Sequence, residues 1–179
     1  PIITSVGRLS PQKDVLTTLV AFAELLKSHE ARLVVVGEGP QLAELQSCAD
    51  ELGIAENVWF AGHQANPYKY MAQSNVFVLT SIYEGIANVL AEALACGVPI
   101  VATDCPTGPT EVLLGGRAGK LVPVGDAAAV SAAIKQFLDD SSLNDSFSEG
   151  IAESLKRFQP EMAAKAYVDL MQRLISRTM

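Results

Sequence analysis

Short runs of β-branched and aromatic residues alternate along this chain with longer stretches in which apolar residues return every three or four positions, and that alternation restricts the fold more than any single motif does. The runs Ile2–Val6, Arg32–Val36, Val58–Ala61, Val76–Thr80, Pro99–Thr103 and Lys120–Val122 read as strands. Strand, amphipathic helix and strand in succession make the unit of a parallel sheet. The expected fold is therefore α/β: a Rossmann-like parallel sheet of about six strands flanked by helices, with extra C-terminal helices. Val15, Leu16, Leu19, Val20, Ala23 and Leu26 recur at helical spacing, which predicts a helix from Pro11 to about Ser28, with Pro11 near its first turn and Ser10 as its cap. Further helices are expected over Gln41–Leu52, ended by Gly53, briefly after Asn66-Pro67, and from about Ala87 to Cys96, ended by Gly97. Beyond the last strand only helices are expected, at Asp126–Asp139, Ser142–Lys156 and Glu161–Arg177.

With 179 residues, 49% of them hydrophobic, the chain has the size and apolar content of one domain that needs no metal or disulfide staple. No composition shift or linker divides it. The formal net charge of −7 argues against nucleic acid or an anionic lipid surface as partner, although a local basic cluster can still hold one small anion. Three widely spaced cysteines, Cys48, Cys96 and Cys105, form no C-x-x-C pair, against zinc or redox chemistry and in favour of a reducing cytoplasmic compartment. No apolar run approaches the roughly 20 residues that span a bilayer, so direct membrane insertion is not expected.

Charged and glycine residues gather directly after the strands: Gly7-Arg8, Gly37-Glu38-Gly39, Gly62-His63, Thr80-Ser81 with Glu84-Gly85, and Thr103-Asp104. In open parallel sheets these carboxyl ends make the binding edge. Gly62 and Gly97 also read simply as turn residues. Gly37-x-Gly39 lacks the third glycine of a dinucleotide fingerprint, since position 42 is Leu, and no phosphate-binding G-x-x-x-x-G-K-[ST] occurs. His29 and His63 accompany no G-x-S-x-G elbow, and His29 reads as a solvated helix-end residue.

Two segments carry more. In Gly7-Arg8-Leu9-Ser10-Pro11-Gln12-Lys13, two cations flank a strand-to-helix turn and can converge on one anion, aided by helix-end amides; the bland alternative pairs Arg8 with a carboxylate and leaves Lys13 solvated. In Ser81 to Pro99, Glu84 precedes a largely apolar helix and Glu92 lies on it, where burial would demand a partner. Glu92 can accept from a diol, while Gly85 leaves the amides of Ile86 to Asn88 open to phosphate oxygens. The two carboxylates could instead bind a metal, but no Asp-x-Asp or histidine accompanies them.

The Glu84-x7-Glu92 spacing, the Ala-Leu-Ala-Cys-Gly-Val-Pro-Ile-Val-Ala-Thr-Asp that follows and the upstream Gly-Arg-Leu-Ser-x-x-Lys-Asp together resemble the group 1 retaining glycosyltransferases of GT-B fold, family GT4. The resemblance spans essentially the whole chain. It implies that residues 1–179 are the C-terminal, donor-binding half of a GT-B enzyme, with the N-terminal acceptor domain absent, as the abrupt start at Pro1 also suggests. Carried over by position, it implies that Arg8 and Lys13 bind and stabilise the diphosphate, that Glu92 holds the ribose, and that Glu84 with Gly85, Ile86, Ala87, Asn88 and Val89 faces the donor sugar and distal phosphate. Gly7 and the loop at Gly62-His63 would complete the pocket, His63 lining the base or standing at the surface. Where the family has Phe-Gly, this chain has Ile86-Ala87, a departure that bears on the sugar. Cys105-Pro-Thr-Gly-Pro-Thr-Glu111 resembles a stretch of members that build surface polysaccharides or glycolipids.

The implied activity is metal-independent sugar transfer with retention, from a UDP-sugar in first place or a GDP-sugar, to a glycan or lipid-linked acceptor, without a cofactor. The full-length protein is expected in the cytoplasm, peripheral to the inner membrane face. Arg8, Lys13 and Glu84 are the expected catalytic residues, with Glu84 as nucleophile the competing role. A sugar-nucleotide epimerase of GT-B fold and a non-catalytic nucleotide-sugar module are the alternatives.

Overall fold

The computed structural model describes residues 1–178. Its strands are β1 (Ile2–Val6), β2 (Arg32–Val36), β3 (Val58–Gly62), β4 (Val76–Leu79), β5 (Ile100–Thr103) and β6 (Lys120–Val122), each within one residue of expectation. They form a single sheet in the order β3-β2-β1-β4-β5-β6, with every neighbouring pair parallel. The chain builds outward from β1 in one direction, then returns to pair β4 with β1 and builds in the other. That reversal opens a crevice above the carboxyl ends of β1 and β4.

The helices are α1 (Val15–Leu26), α2 (Leu42–Glu51), α3 (Tyr68–Met71), α4 (Asn88–Ala95), α5 (Pro109–Val112), α6 (Ala127–Asp139), α7 (Ser148–Arg157) and α8 (Pro160–Thr178). Successive strand residues point to opposite faces, so each strand feeds two cores. Val76 and Val78 join Ile3, Leu33, Val35 and Val101 under α1 and α6, packed on Leu19, Phe22 and Ile134. Phe77 and Leu79 join Ile100 and Ala102 on the other face, against Leu90 and Leu94 of α4 and Val112 of α5.

Three boundaries differ from expectation for local reasons. Pro11–Lys13 form a separate 3-10 turn, Ser10 makes no side-chain cap, and α1 begins only at Val15. Its cap is Asp14, which sits in the left-handed region (φ 45°, ψ 48°) and accepts from the Thr17 hydroxyl at 2.6 Å and the Thr17 amide. The span Ser142–Lys156 is likewise divided, a 3-10 segment over Ser141–Phe147 preceding α7. Between β5 and β6, where no element was expected, lies the single turn α5.

Helix α7 is held where it crosses Arg117. Gly150 lies so close that a Cβ there would stand 2.1 Å from the Arg117 carbonyl oxygen, and the Ser154 hydroxyl donates to Val112 O at 2.6 Å. Helix α8 lies mostly exposed, with Met162, Tyr167, Val168, Leu170, Met171, Leu174 and Ile175 each at least half accessible. His29, expected to be solvated, is instead largely covered: its Nε2 lies 2.9 Å from the Asp139 carboxylate and its Nδ1 2.9 Å from Ser28 Oγ, which ties the end of α1 to the end of α6.

Candidate functional site

The loops after β1 and β4 are laced together across the crevice. Ile82 N donates to Gln12 O at 2.8 Å, Gln12 Nε2 to Tyr83 O at 3.0 Å, and the Thr80 hydroxyl to Asp14 O at 2.7 Å, with the Thr18 hydroxyl 2.8 Å from that of Thr80. This places Lys13 Nζ 2.5 Å from Glu84 Oε1, in a pair whose side chains are only 18% and 8% exposed. The same carboxylate oxygen accepts from the buried Ser81 hydroxyl at 2.6 Å, and the Ser81 carbonyl in turn accepts from Thr103 Oγ1 at 2.6 Å. Glu84 is therefore fixed from two sides. Lys13 is not solvated, and its stem lies over Gly7, where a Cβ would stand 3.5 Å from its Cε.

Arg8 is exposed and makes no ion pair or hydrogen bond among the described residues. It is held at the crevice by backbone alone: Gly7 N donates to Val36 O at 3.0 Å and Leu9 N to Glu38 O at 2.9 Å. Gly37 and Gly39 let these two loops touch. A Cβ on Gly37 (φ 136°) would stand 1.9 Å from Gly7 O, and one on Gly39 2.1 Å from Leu9 O. These two glycines serve backbone packing between the loops. Beyond them, Glu38 Oε1 accepts from His63 N at 3.3 Å, so the β2 and β3 loops are also joined. The His63 side chain is at the surface, and Gly62 takes the left-handed conformation (φ 66°) of a turn residue.

Past Glu84, Gly85 and Ile86 are exposed, and α4 starts at Asn88 with no side-chain cap, leaving its first amides without a side-chain acceptor. Ile86 is 66% exposed, whereas the Ala87 side chain is buried in the core under α4, so only its backbone can face a ligand. Asn88 is exposed and Val89 half-buried. Glu92 corrects the expectation of a buried carboxylate: α4 buries Leu90, Ala93 and Leu94, while Glu92 stays half-exposed with no side-chain hydrogen bond or ion pair among the described residues.

Residues missed from sequence are the supports. Thr107 (φ 61°) donates to Glu84 O, and Gly108 presses so closely on the Glu84 loop that a Cβ would lie 2.8 Å from Gly85 O. The signal for Ser81 was legible, a hydroxyl three residues before Glu84 in a tight loop. Thr107 left none, because the contact comes from a different strand end. Burial, followed by the charge of Glu84, pushes the Cys105 thiol up from its ordinary value, so Cys105 stays protonated. Among the described residues no cluster of His, Cys, Asp or Glu side chains is arranged to hold a metal ion.

An open groove of about 1120 Å³ lies elsewhere, at the amino ends of β1 and β2, between Pro1, Val20, Arg32 and Leu52. It gathers none of the residues at the carboxyl ends of the strands, and binding chemistry in parallel sheets concentrates at that opposite edge.

A six-stranded parallel sheet flanked by helices, with paired and unpaired charges at its reversal point, is an α/β domain of Rossmann-like type. The chain belongs to the group 1 glycosyl transferases, whose family model matches residues 1–154. It is 35% identical to an exopolysaccharide phosphotransferase of Streptomyces coelicolor, over 95% of this chain and 18% of that protein. It is 34% identical to the N-acetylgalactosamine-N,N'-diacetylbacillosaminyl-diphospho-undecaprenol 4-alpha-N-acetylgalactosaminyltransferase of Campylobacter jejuni, over 91% of this chain and 44% of that one. Among solved structures, HepE of Anabaena in complex with UDP superposes with a TM-score of 0.88 at 23% identity, over 96% of this chain and 48% of that one. The chain thus spans less than half the length of these relatives, and its fold is that of one domain of the GT-B glycosyltransferases. No helix among the described residues is long and apolar enough to cross a membrane.

Proposed function

We propose that this chain is the donor-binding domain of a retaining glycosyltransferase that moves a sugar from a nucleoside-diphosphate sugar to a glycan or lipid-linked acceptor, in polysaccharide or glycolipid biosynthesis. The observation that carries the reading is the convergence, at the β1–β4 reversal, of the unpaired Arg8, the Lys13–Glu84 pair and the uncapped start of α4. Family membership and the UDP held by HepE favour a nucleotide sugar, with UDP ahead of GDP. Relatives such as the C. jejuni enzyme favour an acceptor carried on a lipid, and hence an enzyme peripheral to the cytoplasmic face of the membrane. The acceptor would be bound by an N-terminal domain beyond this chain.

In this reading Arg8, Lys13 and the amides of Gly85 to Val89 receive the diphosphate, and Glu92, about one helical turn into α4, takes the ribose hydroxyls. Glu84 faces the sugar, and His63 the base. Charge that develops on the departing phosphate falls where cations and helix-end dipoles are already oriented, and such preorganisation costs no rearrangement during the reaction. The Ser81 and Lys13 anchors suit Glu84 to hydrogen bonding and electrostatic support more than to attack on carbon.

Calorimetric titration of the isolated chain with UDP, GDP and ADP in EDTA is the test. Binding of one nucleotide, unchanged by chelator, is the expected result, without sugar transfer to an added acceptor. Failure to bind all three rejects the donor-domain reading, and collapse of affinity in EDTA that Mg²⁺ restores rejects the metal-free one. Glu92→Ala should weaken the nucleotide about tenfold, as the loss of hydrogen bonds to a charged acceptor implies; an unchanged affinity would remove Glu92 from the ribose.

A further inference from the structure

Lys13 is assigned to the diphosphate, yet its ammonium already lies against a carboxylate. Glu84 Oε1 is 2.5 Å from Lys13 Nζ, its side chain is 8% exposed, and Ser81 and the Thr107–Gly108 loop hold its position. Any phosphate oxygen that bonds Lys13 Nζ at ordinary distance therefore lies within about 5–6 Å of a fixed negative charge. A site built only to bind anions would keep carboxylates away. We propose that Glu84 in this pair is a charge discriminator, which offsets part of the pull of Lys13 and weakens the hold on the nucleoside diphosphate more once the sugar has left than while the diphosphate carries it. The proposal rests on the donor-domain reading above.

The chemistry gives the pair something to discriminate. On transfer, the bond between the anomeric carbon and the distal phosphate oxygen breaks, and its electron pair stays on that oxygen. The acceptor oxygen bonds the anomeric carbon, and its proton is released through the departing phosphate to water. The distal phosphate thus changes from one bonded on both sides, with a single charge, to the terminal phosphate of a diphosphate, which carries close to two charges above its second pKa of about 6. While the bond is breaking, the sugar bears compensating positive charge, which the Glu84 carboxylate favours as Lys13 meets the phosphate. After the sugar departs, Glu84 faces only an anion, and repulsion scales with its charge.

The test compares UDP with its β-methyl ester, or the guanosine pair if the chain takes GDP. The two probes differ in distal charge, and neither carries a donor sugar. In Glu84→Gln at pH 7.5, the ester should gain about threefold in affinity and the free diphosphate about tenfold, since doubling the distal charge doubles the energy and squares the factor. Near pH 5.5, where the second proton returns, the two gains should converge. Glu84→Ala removes the same charge and should keep the same order, so the test survives if one variant fails to fold. Equal gains at pH 7.5, no gain, or weaker binding of the free diphosphate overturns the discriminator. If the unmodified chain binds neither probe, the donor-domain reading fails instead.

Discussion

Gly37→Ala is expected to lower the stability of this chain by about 3 kcal/mol, through crowding and backbone strain together. The added Cβ would stand 1.9 Å from the Gly7 carbonyl oxygen, a backbone atom that cannot rotate away, and the φ of 136° is one that L residues rarely adopt. Relief requires the β2 loop to part from the β1 loop, breaking the Leu9 N to Glu38 O bond and carrying Arg8 out of place. Gly53→Ala separates the two causes: its φ is 68°, but nothing lies within 4 Å of the new carbon, so only strain remains, about 1 kcal/mol. For a domain of this size the larger change corresponds to a fall in Tm of roughly 6–12 °C. Urea unfolding of both variants decides the matter, and equal costs would show that the β1–β2 loop contact is easily displaced.

Arg8→Ala should cost nucleotide affinity on the order of a hundredfold while leaving stability within about 0.5 kcal/mol, because the side chain is exposed and has no partner among the described residues to lose. Lys13→Ala should behave differently on both counts. It strands the Glu84 carboxylate at 8% exposure, which costs about 1–2 kcal/mol after allowance for the solvent reaching the pair. It should also weaken the nucleotide more, beyond about a hundredfold, since the Glu84 charge that stays behind then repels the phosphate without its counter-ion. Titration and thermal melts of the two variants, run together, give four numbers. A stable Lys13→Ala chain, or an Arg8→Ala chain that binds normally, contradicts this division between structure and binding.

The strands were readable because each is a short, largely apolar run bounded by glycine, proline or polar residues, and no tertiary contact is needed to see that. The start of α1 was not, because Pro11 imitates a first-turn proline while the capping depends on Asp14 in a conformation that few non-glycine residues adopt. The residues expected around the ligand do lie at the strand ends, but their mutual arrangement depends on partners distant in sequence. Lys13 and Glu84 are 71 positions apart, and each had been given a ligand as its partner rather than the other. Glu92 was misjudged for the opposite reason: apolar neighbours along α4 suggested burial, yet the helix buries only the stripe of Leu90, Ala93 and Leu94. α5 is too short for any periodicity to reveal, and Thr107 acts only because β5 ends beside β4.

The crevice lies on the seam between β1 and β4, strands that become neighbours only after β2 and β3 have been laid down on the other side. No stretch of chain that folds locally, such as β1-α1-β2, contains both walls. Occupancy of this crevice is thus a statement about long-range closure. A molecule spanning it bridges parts of the chain that would otherwise separate on partial opening, so its binding energy opposes the cooperative loss of the seam rather than fraying at the exposed α8. Amide exchange would register this as slower opening across β1 and β4, with α8 exchanging as before.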